Sequence, residues 1–96
     1  MHRVRTHPGE ILAEEFLSPL GMSANALALS LRVPATRIGA ILKGRRGVTA
    51  DTALRLGRFF GTTPEFWMNL QAAHDLSRAR MDVGPVIEKD VSPRAA

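Results

Sequence analysis

The stretch SANALALSLRVPATRIGAILKG, residues 23–44, decides the fold of this chain. Ser23 is a strong helix N-cap, and Leu27 and Leu31 follow at i,i+4 with the small Ala28 beside them. Arg32-Val33 interrupts the helix. Pro34 then opens a second block reaching Lys43, with Ile38, Ile41 and Leu42 apolar, and Gly44 stands where a left-handed C-terminal cap belongs. Two short helices joined by so tight a turn cross steeply and need a small residue where their backbones approach, the place of Ala28. Leu27, Leu31, Val33, Ile38 and Ile41 pack the pair together, leaving Ala35, Thr36, Arg37, Gly39, Ala40 and Lys43 outside. This is the pattern of a helix-turn-helix, whose second helix lies in the major groove. An ordinary helical hairpin shares the apolar pattern, so the charges around it carry the distinction.

Those charges are one-sided. Between Phe16 and Ala50 there is no Asp or Glu, whereas Arg32, Arg37, Lys43, Arg45 and Arg46 all fall inside that window. The net charge of the whole chain is +4. A basic segment flanked by acidic ones suits a polyanion, because lysine and arginine displace counterions from phosphates. Thr36 and Arg37, at the start of the second helix of the pair, can reach base edges, and Arg favours guanine O6 and N7. Ala35 and Ala40 can meet a thymine methyl. Lys43, Arg45 and Arg46 suit phosphates, as do the backbone N–H groups from Ser23 to Asn25.

Working outward, proline and glycine divide the rest into further helices. Pro8 and Glu10 open one that carries Leu12 and Phe16 and that Ser18-Pro19 is expected to end near Leu17. Thr49 caps a helix over residues 50–60, stopped by Gly61, and Thr63 caps another from Pro64 to about Met81, carrying Phe66, Trp67 and Leu70. Trp67 is expected in the core. From Asp82 the composition turns to Gly84, Pro85, Glu88, Lys89, Asp90 and Pro93, which reads as a frayed tail, with Val86-Ile87 able to form a short strand or a partner contact. The expected fold is all-α: a bundle of about five short helices with a lambda-repressor-like helix-turn-helix in the second and third, forming a domain over residues 1–81 and a tail over 82–96.

Length and composition bound the function. Ninety-six residues with 45% hydrophobic content make one domain with a core. The absence of cysteine removes disulfides, thiolate metal sites and cysteine nucleophiles. Ser18, Pro19, Gly21, Ser23, Asn25 and Ser30 make the uncharged stretch from Leu17 to Leu31 too polar for a membrane span, and there is no signal-peptide pattern, so a cytoplasmic protein without a membrane partner is expected. No catalytic group assembles. Glu14 and Glu15 diverge by about 100° on a helix, and His2, His7 and His74 lack metal-ligand spacing. No enzyme activity, metal or cofactor is expected.

Four stretches give a more specific signal: HPGEIL at 7–12 with EFL at 15–17, VPATRI at 33–38, GRRGVTADTALRL at 44–56, and FGTTPEFWMNLQ at 60–71. In these the chain resembles the HigA-type antitoxins, a branch of the Xre-like helix-turn-helix repressors. The resemblance implies a DNA-binding homodimer that represses its own operon from a palindromic double-stranded operator. It also implies neutralisation of a HigB-like toxin, a RelE-like mRNA interferase; a solitary repressor without a toxin is the alternative. A nuclease that binds RNA is expected to be basic, which directs attention to the acidic Glu10, Glu14 and Glu15 of the first helix, or to Glu88 and Asp90 of the tail, as the toxin-binding surface. One departure matters: the family's turn usually has Gly where this chain has Arg32, so a non-glycine residue is expected at positive φ.

Overall fold

The computed structural model describes residues 3–95, which form six helices and no strand. The first, α1, is a continuous rod of three parts: Pro8–Ile11, a π-helical Leu12–Leu17, and Ser18–Leu20. His7 caps it, its Nδ1 accepting from the Gly9 N–H at 2.9 Å. The expected stop at Ser18-Pro19 does not occur. In the wider π turn the Ser18 N–H reaches back to the Ala13 carbonyl, and Pro19 falls in what is locally a new first turn, where its missing N–H does no harm. The chain leaves the helix at Gly21, with φ 59°.

The helix-turn-helix follows as α2, Ala24–Leu31, and α3, Ala35–Leu42. Ser23 Oγ accepts from the Ala26 N–H at 3.0 Å, as a capping serine should. Arg32 does take the left-handed conformation, φ 60°, ψ 45°. Its N–H and that of Val33 close the end of α2 on Leu29 and Ala28 carbonyls, so the turn geometry is kept without glycine. Gly44, at φ 72°, ends α3. Next come α4, Ala50–Phe60, capped by Thr49, and α5, Pro64–Asp82, capped by Thr63.

Leu12, Leu27, Leu31, Ile38, Ile41, Ala53, Leu56 and Trp67 form one buried core beneath the pair α2–α3. Trp67 is wholly inside it, its Nε1 donating to Thr62 Oγ1 at 2.8 Å and its ring 5.0 Å from that of Phe16. The start of α1 lies directly against the end of α3: a Cβ on Gly9 would sit 2.0 Å from the Ile41 carbonyl oxygen. Only glycine permits that approach.

The expected frayed tail is instead a helix, α6, Gly84–Asp90, so Val86-Ile87 is neither strand nor loop. Pro85 falls in the first turn, where it initiates rather than breaks, and Ile87 lines a cleft with Leu76, Ala79 and Val83. Together, α6 and the end of α5 project from the bundle, giving a molecule of 52 × 24 × 21 Å.

Candidate nucleic-acid interface

Along α3 and its C-cap, Thr36, Ala40 and Lys43 recur at i, i+4 and i+7, opposite the buried Ile38 and Ile41. Ala35 and Thr36 are exposed in its first turn, and Gly39 and Ala40 are half-buried. Nothing lies within 4 Å of a Cβ placed on Gly39, so that glycine leaves open space rather than serving a helix–helix contact. Lys43, Arg45 and Arg46 are all exposed just beyond the helix, and Ser23 and Asn25 are exposed at the start of α2.

The loop that carries Arg45 and Arg46 is built, not slack. The Gly44 and Arg45 N–H groups return to the Ile41 and Ala40 carbonyls at 3.0 and 2.9 Å. At its far end the buried Gln71 of α5 accepts the Val48 N–H at 2.7 Å and donates to Asp75 at 2.9 Å. Gly47 packs on that amide, 3.0 Å from where a Cβ would stand. Sequence reading gave Gln71 no role. Its only signal is a polar residue where the helix is turning inward, and that needs the loop's position to be read.

Arg37 differs from its neighbours. Its Nη1 donates to Asp51 Oδ2 at 2.9 Å, its side chain is only 24% exposed, and its Nε is buried with no partner. The same carboxylate oxygen accepts from Arg55 Nε at 3.0 Å, and Arg55 Nη1 donates to the Leu31 carbonyl at 2.9 Å. The Asp51 carboxyl is held below the usual carboxylate range by the hydrogen bond from Arg55 and, less strongly, that from Arg37. The i,i+4 spacing of Asp51 and Arg55 is visible in the sequence, but the reach to Arg37 is not.

The acidic residues of α1 are exposed. They are not, however, all remote from the basic window: Glu10 lines a cleft with His7, His74, Lys43 and Gly44. Glu14 and Glu15 continue along the helix away from that cleft. The two rings of His7 and His74 meet edge to face, with centroids 4.8 Å apart. Burial, and then His74, push the His7 imidazole below its ordinary value. Among the described residues no three His, Cys, Asp or Glu side chains are grouped to hold a metal, and no helix is long and apolar enough to cross a membrane.

The helix-turn-helix family matches residues 12–67. Virulence-associated protein I of Dichelobacter nodosus is 55% identical over 76 residues, 79% of this chain and 70% of that protein. An addiction module antidote protein of the HigA family from Coxiella burnetii is 56% identical and superposes with a TM-score of 0.90 over 96% of this chain and all of its own. The Pseudomonas aeruginosa antitoxin HigA, solved with the higBA promoter, is 44% identical with a TM-score of 0.92, over 97% of this chain and all of its own. The chain belongs to the helix-turn-helix family and, within it, to the HigA-type antitoxins, a group of DNA-binding regulators rather than enzymes.

Proposed function

We propose that this protein binds an inverted-repeat operator as a homodimer, represses its own toxin–antitoxin operon and neutralises a HigB-like toxin. The observation that carries the reading is the backbone likeness, at 44% identity, to a HigA solved with its promoter, on a chain whose α3 and following loop are basic and solvent-facing. In this reading Ala35, Thr36, Arg37 and Ala40 meet base edges, while Lys43, Arg45, Arg46 and the α2 start at Ser23 and Asn25 hold phosphates. One short helix covers too few bases for operator affinity. A two-fold dimer places two of them about one helical turn, some 34 Å, apart.

Residues 1–81 supply the DNA-binding unit, and the arm formed by α6 with the end of α5 supplies the dimer contact. Leu76, Met81, Val86 and Ile87 are each more than half exposed there, an apolar surface that a second copy of the arm would cover. For the toxin, Glu14 and Glu15 are the better candidates, since Glu10 shares its cleft with Lys43. A function on DNA and against such a toxin fits a cytoplasmic protein.

Titration of the chain's own upstream DNA against a random duplex tests the DNA reading. Lys43→Ala, Arg45→Ala and Arg46→Ala should weaken both, each reducing the salt slope by about one, while Thr36→Ala should change base preference. Equal affinity of the unaltered protein for both duplexes refutes the reading. Co-expression with the product of the neighbouring small open reading frame tests the toxin. Rescue of growth lost on Glu14→Lys with Glu15→Lys, and retained on truncation after Asp82, assigns the site to α1; the reverse assigns it to the arm. Absence of rescue leaves a solitary repressor.

A further inference from the structure

We infer that Asp51 is a specificity-determining residue: it holds Arg37 back from phosphates so that this arginine serves base readout rather than general attraction to DNA. The inference rests on the reading of α3 as the base-reading helix.

A carboxylate bordering a DNA-facing helix is an anomaly that needs a reason, because it repels the phosphates that neighbouring lysine and arginine attract. Asp51 is such a group, 55% exposed, on the first turn of α4 and bonded to the third residue of α3. Its Oδ2 is shared by Arg37 at 2.9 Å and Arg55 at 3.0 Å. Arg55 in turn donates to the carbonyl of Leu31 at 2.9 Å and reaches that of Arg32 at 3.5 Å. An unbroken chain of contacts therefore runs from the end of α2, through Arg55 and Asp51, to Arg37 on α3. It crosses the turn that sets how the two helices present themselves.

The consequence lies in what Arg37 is free to do. An unrestrained arginine has a long flexible stem and five donors, and it settles on whichever phosphate comes within reach. Arg37 has lost that freedom already: its side chain is mostly covered, its Nε is buried, and one Nη1 hydrogen faces Asp51. Nη2 makes no hydrogen bond within the described residues. A guanidinium fixed in this way can satisfy an acceptor pair set at one place and orientation, as a guanine edge is, and is poorly disposed toward phosphates elsewhere.

The test is Asp51→Asn, near in size but uncharged, measured by fluorescence anisotropy on operator and random duplexes of equal length across a salt series. The random duplex should bind several-fold tighter and with a salt slope steeper by about one, and the operator-to-random ratio should fall about tenfold, within the range that one arginine–guanine pair provides. Arg37→Ala with Asp51→Asn separates this from the loss of one negative charge. In that background Asp51→Asn should leave the slope where Arg37→Ala alone puts it; a further steepening would mean simple charge removal and overturn the assignment. Asp51→Glu keeps the helix-terminal charge but displaces the oxygen, and guards against failure of the asparagine variant to fold. It should lower the ratio too, and an unchanged ratio overturns the inference. If the unaltered protein discriminates and Asp51→Asn discriminates equally, only the role of Asp51 falls. If the unaltered protein does not discriminate, operator reading and this role fall together.

Discussion

Gln71→Leu isolates the support of the basic loop from the loop's own charges. Leucine nearly conserves the volume but removes the acceptor of the Val48 N–H, a bond of 2.7 Å at a residue only 3% exposed. A buried donor left unpaired costs about 1–3 kcal/mol. The lost bond to the exposed Asp75 adds little, because water replaces it. For a domain of this size each kcal/mol lowers the melting temperature by about 4–8 °C, so a fall of roughly 4–24 °C is expected by circular dichroism. A 96-residue domain has a stability of about 5–14 kcal/mol, so the variant stays folded at 25 °C and its DNA binding can be read. Affinity for operator and random DNA should then fall together, since Arg45 and Arg46 lose their fixed place but no base-reading residue moves. A melting temperature within about 1 °C of the parent would refute the argument, because the Val48 N–H would then have found another partner. A selective loss of operator binding would refute the division of labour between loop and helix.

Three other perturbations test the fold. Gly9→Ala should destabilise by about 1–3 kcal/mol or more, because the added methyl meets the Ile41 carbonyl and backbone must move; an unchanged urea midpoint would show that α1 and α3 are not in that contact. Arg32→Gly relieves a left-handed conformation that disfavours a side chain by about 1–2 kcal/mol, offset by about 0.5–1 kcal/mol of added chain entropy in the unfolded state, so a gain of up to roughly 1.5 kcal/mol is expected with the urea m-value unaltered. The pH dependence follows from His7, whose folded form prefers the neutral ring because burial, and then His74, disfavour its charge, while its Nδ1 accepts the Gly9 N–H. Its contribution is complete above the unfolded value near 6.5 and is lost as pH falls through that value toward the lower folded one. Thermal melts at pH 7.5 and 5.5 should therefore differ in the parent and differ less in His7→Asn, in which the cap is retained without a titrating group; equal differences in both would remove His7 as the cause.

The caps were legible because they are local chemistry. Ser23, Thr49 and Thr63 each accept an N–H three residues on, and Gly44 and Gly61 take the positive φ that a side chain resists. The core stripe of Leu27, Leu31, Ile38 and Ile41 followed from helical spacing alone. The positive φ at Arg32 was legible only through comparison of the turn with a family pattern. Pro19 and Pro85 misled for one reason. Proline excludes itself from a helix interior by a missing donor and a ring clash, and both objections vanish in a first turn, whether it follows a π turn or starts a new helix.

The sequence by itself determined where the basic surface lies, since excluding every carboxylate from residues 16–50 is a property of composition. Tertiary structure decided what the residues of that face are free to do. Arg37, Lys43 and Arg46 look alike as letters, but only Arg37 comes within 2.9 Å of a carboxylate fourteen residues away. Gln71 reaches the loop across 23 residues, and Glu10 and Lys43 line one cleft. Those encounters depend on how α4 and α5 pack against the helix-turn-helix. That packing is fixed by the burial of Trp67, Leu56 and Ala53 in a common core, not by any pattern within one helix.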